Sequence, residues 1–156
     1  MPVSDFKDKT AITGIGYVPF TRDCRATVLT QAATACQNAI ADAGLTKDDI
    51  DGIVMYQLAA DSVGPGAVAS ALGIKPNWLA DISGGGNVSS FVVQLAAEAV
   101  YHGACRNVLV YRALNGRSGI RIGRLGGSQP NMPGGAPAPA AAAGATASQP
   151  LLRGRR

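Results

Sequence analysis

Histidine occurs once in the 156 residues and cysteine three times, and Cys24, Cys36 and Cys105 show no CxxC spacing. Neither a standard zinc site nor a paired disulfide framework can be built from that set, so no metal and no disulfide scaffold are expected. Charge is sparse at 15% and aromatics at 5%. Long apolar runs are missing too: Gln94 and Glu98 break the longest one before it reaches the roughly 18 to 20 residues of a bilayer span. The first ten residues carry Asp5, Lys7, Asp8 and Lys9 where a signal peptide would place a basic start and an apolar stretch. A soluble, cytoplasmic protein without membrane contact is the expectation.

What is present is unevenly spread. Residues 1–99 hold all ten acids against six Lys or Arg, whereas residues 100–156 hold eight Arg and no acid. A basic end can mark a nucleic-acid reader. After Tyr111, however, the arginines are not interleaved with aromatics, and no recognition-helix pattern accompanies them, so no nucleic acid is expected. Composition shifts near Leu125. The 31 residues from Gly126 onward contain six Gly, five Pro and eight Ala, with Met132, Leu151 and Leu152 as their only large apolar side chains. Ordering a chain costs at least about 1 kcal/mol per residue, which so few apolar side chains do not offset, and residues 125–156 are expected to be disordered. The run 134–147 with its closing arginines also has the composition of GC-rich DNA read in a shifted frame. A clean stop after Arg156 in the native frame would sink that expectation.

Residues 10–112 alternate regularly. Residues 10–16 form a short apolar run ending in Gly14-Ile15-Gly16, expected as a strand. Over 26–43, Leu29, Ala32, Ala33, Cys36, Ile40 and Ala43 share one helical face, and Gly44 supplies a stop. A second strand is expected at 52–56 after the polar turn 47–51, a short helix at 62–72 stopped by Gly73, and a third strand at 78–82. Over 88–102, Val88, Phe91, Val92, Leu95, Ala96, Ala99 and Val100 recur at helical spacing, with Asn87 as the expected N-cap. A last strand is expected at 107–111, whose residues after Asn107 are continuously apolar, as in a strand covered on both faces. Four strands alternating with three helices predict an α/β fold with a mostly parallel sheet and right-handed crossovers.

Gly14-Ile15-Gly16 lacks the third glycine of a dinucleotide fingerprint, since Pro19 stands there and no helix starts until about residue 26. A plain turn is the better reading. Ser83-Gly84-Gly85-Gly86-Asn87 joins a strand directly to the best helix. Such a turn offers backbone N–H groups and the positive end of a helix dipole to an anion, an oxyanion or a nucleophile. It serves equally as a tight connection in a crowded sheet. Arg112, Asn115, Arg117, Arg121 and Arg124 follow the last strand, where ligand crevices of parallel sheets lie. They would suit the phosphates of a CoA, or form a solvated basic loop. Cys36 falls on an apolar helical face and reads as core. Cys24, between Arg22 and Arg25 near a helix start, is a candidate for a lowered thiol pKa. His102 reads as a helix-end residue rather than a base, Cys105 as a turn residue, and Asp48, Asp49 and Asp51 as a solvated turn without the Gly and Glu of a calcium loop.

Three runs carry a family resemblance: Ala11-Ile12-Thr13-Gly14-Ile15-Gly16-Tyr17, Asp49-Ile50-Asp51-Gly52-Ile53-Val54, and Asn107-Val108-Leu109-Val110-Tyr111-Arg112-Ala113-Leu114-Asn115-Gly116-Arg117-Ser118-Gly119. Together, over residues 8–124, they resemble the N-terminal part of the thiolase-like lipid-transfer proteins, the sterol-carrier-protein-X-type branch of the thiolase superfamily that includes steroid side-chain aldolases. The resemblance implies two similar βαβαβαββ halves stacked in five layers, a dimer, and carbon-carbon bond chemistry or acyl transfer on an acyl-CoA, with no bound cofactor. It places the nucleophilic cysteine of thiolases proper at Ser83 or Gly84, and no thiol stands there. A serine at that turn would need an adjacent base. It further implies substrate contacts at Gly84, Gly85, Gly86, Asn115 and Arg117, and a homodimer through the sheet edge near Trp78 and Ile82. A small zinc-ribbon and OB-fold protein is the implied partner. The acid/base residues of the aldolase branch, one strand and the second half have no counterpart in this chain, so inactivity alone is expected. Val93, Ala97 and Tyr101 lie off the main stripe of the last helix, which the second half would cover.

Overall fold

The computed structural model describes residues 6–21, 24–58 and 61–115. The expectation of disorder over 125–156, and those placed on Arg117, Arg121 and Arg124, lie outside the described residues. The chain divides into two units, Met1–Gly123 and Arg124–Arg156, and every described residue belongs to the first.

Helix α1 spans Val28–Asp42. Thr27 caps it, its hydroxyl accepting from Thr30 N–H at 3.1 Å, and Gly44 follows with φ +68°, a conformation glycine takes without strain. Strand β1, Gly52–Gln57, follows a 3₁₀ turn at Lys47–Asp49. Helix α2 spans Pro65–Leu72, later than the expected start at 62 because Pro65 takes the first helical position and cannot continue a helix backwards through its missing N–H. Strand β2 is Trp78–Ser83, helix α3 is Ser89–Tyr101 and strand β3 is Val108–Tyr111. A 3₁₀ turn at Gly86–Val88 opens α3, so Val88 and not Asn87 occupies the cap position.

The sheet has the order β2-β1-β3, all parallel, with Gly52 opposite both Trp78 and Val108. Side chains of β1 alternate in direction and so build two cores. Ile53 and Met55 pack with Ala32, Cys36 and Ile40 of α1 and Val68, Ala69 and Leu72 of α2. Val54, on the other face, packs with Val92 and Ala96 of α3, flanked by the half-covered Trp78, Ala80, Ile82 and Val108. Two helices thus cover one face and one helix the other. Cys36 lies in the first core as expected, and burial pushes its thiol up to about 12. Cys105, expected in a turn, is buried beside Gly52, where an added Cβ would lie 2.9 Å from the cysteine Sγ.

The expected first strand is corrected. Residues 10–16 form no ladder; they run extended along α1. A Cβ on Gly16 would lie 2.2 Å from Ala35 O, and one on Gly14 2.5 Å from Ala39 O, so both glycines are needed for backbone to touch helix backbone. Ile15 N–H donates to Asp42 Oδ2 at 2.9 Å and Asn38 Nδ2 donates to Tyr17 O at 3.0 Å. The alternate side chains turn outward, leaving Ile15 and Tyr17 each 68% exposed.

The turn before β1 is also more than solvated surface. Asp51 accepts from Arg106 N–H at 2.8 Å and Asn107 N–H at 2.9 Å, fixing the entry to β3. Asp49 closes a capping box on Thr46, accepting from its hydroxyl at 2.7 Å and its backbone N–H at 2.8 Å. Those bonds hold its carboxyl below the usual range. Because the folded pKa lies below the unfolded one, this contribution is present above the ordinary carboxylate range and lost as pH falls through the folded value. Melting temperature followed from about pH 5 to pH 2 is expected to fall less steeply for Asp49→Asn than for the wild type.

Candidate functional site

Parallel strands direct their carboxyl ends to one side, where ligand crevices of open α/β sheets form. Here that side is framed by residues 61–64 after β1, the turn 83–87 after β2 and the segment 112–115 after β3. Gln57 and Ser83 stand opposite each other as the last residues of their strands. Gln57 Nε2 donates to both oxygens of Asp81, at 3.0 and 2.8 Å, so an amide, a carboxylate and the Ser83 hydroxyl share one face of the sheet end.

Ser83 is exposed, and Gly84, Gly85 and Gly86 follow it into the 3₁₀ turn. Gly84 N–H donates to Gln57 O at 2.9 Å and is therefore engaged in extending the ladder. The amides of Gly86 and Asn87 open a helical turn, where backbone N–H groups have no intrahelical acceptor. Gly84 fits closely: an added Cβ would lie 2.7 Å from Val88 Cγ1, whereas one on Gly86 meets nothing within 4 Å. Gly84→Ala is expected to cost about 1–3 kcal/mol through overpacking, and Gly86→Ala close to nothing, in thermal or denaturant unfolding.

Asn115 is tied to α1: its Nδ2 donates to Ala26 O at 3.0 Å, and its Oδ1 accepts from Gln31 Nε2. Both ends of the amide are thus directed at α1 and the residue just before its cap, and not at the Ser83 turn. Arg117 lies outside the described residues. Arg112, grouped by sequence with a phosphate-binding set, is corrected. Its Nη2 bonds Asp61 Oδ2, its Nη1 donates to Ala113 O at 3.1 Å, and its guanidinium carbon lies 5.1 Å from the Tyr56 ring centre. Its charge is already met inside the fold.

Asp61 was not singled out by sequence reasoning. Its carboxylate is 0% exposed against 17% for the Arg112 side chain, and its Oδ1 also accepts from Leu58 N–H at 3.0 Å. The signal was available, since Asp61 is the sole charged residue between Asp51 and Lys75. Beside it, Tyr111 OH donates to Val63 O at 2.5 Å, and burial raises the phenol, with the charges of Cys36 and Asp81 adding to the rise. The Ser62 hydroxyl is buried without a hydrogen-bond partner.

Cys24 is half-buried, its thiol 3.8 Å from Ala26 O, and His102 closes α3 as its C-cap. Among the described residues no three His, Cys, Asp or Glu side chains gather as metal ligands, and no helix is long and apolar enough to cross a membrane. A shallow hollow of about 190 Å³ lined by Gln37, Ile40, Ala41, Leu45, Lys47 and Leu72 lies between α1 and α2, near the 3₁₀ turn that precedes the amino end of β1.

No family model matches the chain. It is 39% identical over 118 residues to the 17-hydroxy-3-oxo-4-pregnene-20-carboxyl-CoA lyase of Mycobacterium tuberculosis, covering 75% of this chain and 30% of the relative. It is 40% identical over 114 residues to the steroid side-chain-cleaving aldolase of Thermomonospora curvata, covering 72% of this chain and 29% of the relative. The solved structure of an Ltp2-ChsH2(DUF35) aldolase matches with a TM-score of 0.66 at 39% identity, over 70% of this chain and 28% of that one. The α/β architecture with its parallel sheet is therefore that of a partial domain in a known aldolase. Over about three quarters of its length the chain is related to steroid side-chain-cleaving aldolases, and it spans less than a third of each.

Proposed function

We propose that the chain forms part of a thiolase-like acyl-CoA carbon-carbon lyase acting in lipid or steroid side-chain metabolism, and that it is inactive until completed by further polypeptide. The observation that carries this is the 39% to 40% identity to two lyases over three quarters of the chain. The site chemistry agrees with a lyase that uses no thioester-forming cysteine. No thiol stands at the turn 83–86, and a side chain at position 84 would collide with Val88.

A β-hydroxyacyl thioester is cleaved when a base takes the hydroxyl proton and the bond between the α and β carbons breaks. Its electron pair enters the thioester as an enolate, and a ketone leaves. Protonation of the enolate at the α carbon yields the shortened acyl-CoA. Backbone amides at the turn and the Ser83 hydroxyl suit the developing negative charge on the thioester oxygen. The acid/base groups would come from the completing polypeptide.

The test assays release of a shortened acyl-CoA from 17-hydroxy-3-oxo-4-pregnene-20-carboxyl-CoA. The chain is assayed alone, with a DUF35-type protein, and with both that protein and the part of the Mycobacterium lyase that the chain does not match. Turnover is expected only in the last mixture. A complete assembly that forms yet releases nothing would remove the lyase reading.

A second reading is a non-catalytic subunit that docks a partner, either another copy through the β2 edge near Trp78 and Ile82 or a small zinc-ribbon and OB-fold protein. Exposed Leu79, Phe91 and Val93 on β2 and α3 favour it. Turnover appearing with the DUF35-type protein alone would select this reading over the first.

A further inference from the structure

Residues 61–64, after β1, and segment 112–115, after β3, both border the carboxyl ends of the strands, yet they lie about fifty positions apart in the chain. Two polar ties join residues 61–64 to the end of β3 and the segment beyond it. Tyr111 OH, still in β3, reaches Val63 O, and Arg112, the first residue of the segment, reaches Asp61. The second tie is an ion pair whose carboxylate is fully covered, its two oxygens shared between Arg112 and Leu58 N–H. The guanidinium is held on a third side by the Tyr56 ring, at the end of β1. Buried ion pairs contribute little net stability compared with apolar residues of similar shape, and their best-attested use is to fix one arrangement among several. The arrangement fixed here is where the chain leaves β3, three residues before Asn115 anchors it again at the start of α1, on Ala26 O and Gln31.

We infer that Asp61 is a positioning residue for the carboxyl-end site, holding segment 112–115 in register with the loop after β1 through the Arg112 guanidinium. The inference rests on the lyase reading for its catalytic consequence, and on geometry alone for the coupling. Asp61 touches no reacting atom in this account. It acts by keeping the border of the acyl-CoA crevice in one position.

Two measurements test it. The first is amide hydrogen exchange on the 156-residue chain, comparing the wild type with Asp61→Asn and with Asp61→Asn/Arg112→Met. Removing one partner of a buried pair is strongly destabilising, whereas removing both charges is close to neutral, so the double variant stays folded if the single one does not. Exchange of the amides of Leu58, bonded to the residue 61 side chain, and of residue 61, bonded to Leu58 O, is expected to accelerate at least about tenfold in the double variant, the equivalent of 1.4 kcal/mol, with α1 unchanged. Unchanged exchange at both of these amides overturns the inference whatever the activity. The second measurement is steady-state kinetics in the completed assembly. KM for the acyl-CoA is expected to rise at least about fivefold in the double variant, because lost positioning weakens substrate capture, whereas lost folding lowers only the amount of active enzyme. KM equal to wild type, with turnover following the folded fraction, also overturns it. A wild-type assembly without turnover removes the lyase reading alone, because exchange decides the coupling without it.

Discussion

Ile53→Ala is expected to lower the stability of the chain by about 2–5 kcal/mol, the range for truncating a fully buried aliphatic side chain in a core that cannot collapse. Ile53 is fully buried on the central strand, packed between α1 and α2, with β2 on one side and β3 on the other. Neighbours on every side are held by their own ladders and helices, so relaxation into the cavity is restricted. Leu79, directly opposite on β2, is the internal control: it faces the same side but is exposed at the sheet edge, and Leu79→Ala is expected to change stability by no more than about 0.5 kcal/mol. Denaturant unfolding of the two variants checks the contrast. Equal losses would mean that the two-helix face does not carry the core.

Gly16→Val is expected to lift the N-terminal segment from α1. The added Cβ would stand 2.2 Å from Ala35 O and 2.3 Å from Ala39 N, both backbone atoms of a regular helix that cannot yield as a side chain could. Overpacking of this kind costs about 1–3 kcal/mol. The segment itself is held by two hydrogen bonds, so detachment and not global unfolding should absorb the strain. Exchange of the Ile15 amide, bonded to Asp42, is expected to accelerate at least about tenfold, as 1.4 kcal/mol requires. Amides of β1 should keep their wild-type rates. Retention of Ile15 protection would show that α1 bends to accept the side chain.

Much of this architecture could be read before the structure. Helix α1 was legible because Ala32, Cys36 and Ile40 recur on one face and Gly44 ends it, and these three are the residues the helix buries. The strand-to-helix turn at Ser83 was legible because three glycines separate two periodic runs of different period. Residues 10–16 show where local signals stop. Apolar, β-branched residues fix an extended backbone, but whether a neighbouring strand completes a ladder is decided by tertiary partners, and here α1 takes that place. Helix α3 shows a related limit: Phe91, on the expected stripe, is exposed because the helix buries only the narrower line of Val92, Ala96 and Ala99.

The candidate site divides in the same manner. Ser83 and the glycines announced themselves by type and order. Asp61 did not, because its meaning lies in Arg112, 51 positions away, and no periodic pattern links a loop residue to the end of a distant strand. Asn115 was visible as a polar residue after the last strand, but its bonds to Ala26 and to Gln31 of α1 depend on a packing that sequence order conceals.

The ladder order has a consequence for the sequence of events in synthesis. The central strand meets β2 across one helix, but Gly52 cannot meet Val108 until more than fifty further residues have been made. Loop-closure entropy grows only slowly with length, about 0.6 kcal/mol per doubling, so the long pairing is affordable at equilibrium yet late in time. Parallel, non-local pairing of this kind is slow to form. During that interval the nascent chain displays an open edge on the strand that ends at the centre of the sheet, and a holding factor at the ribosome exit would find its binding segment in Gly52–Gln57.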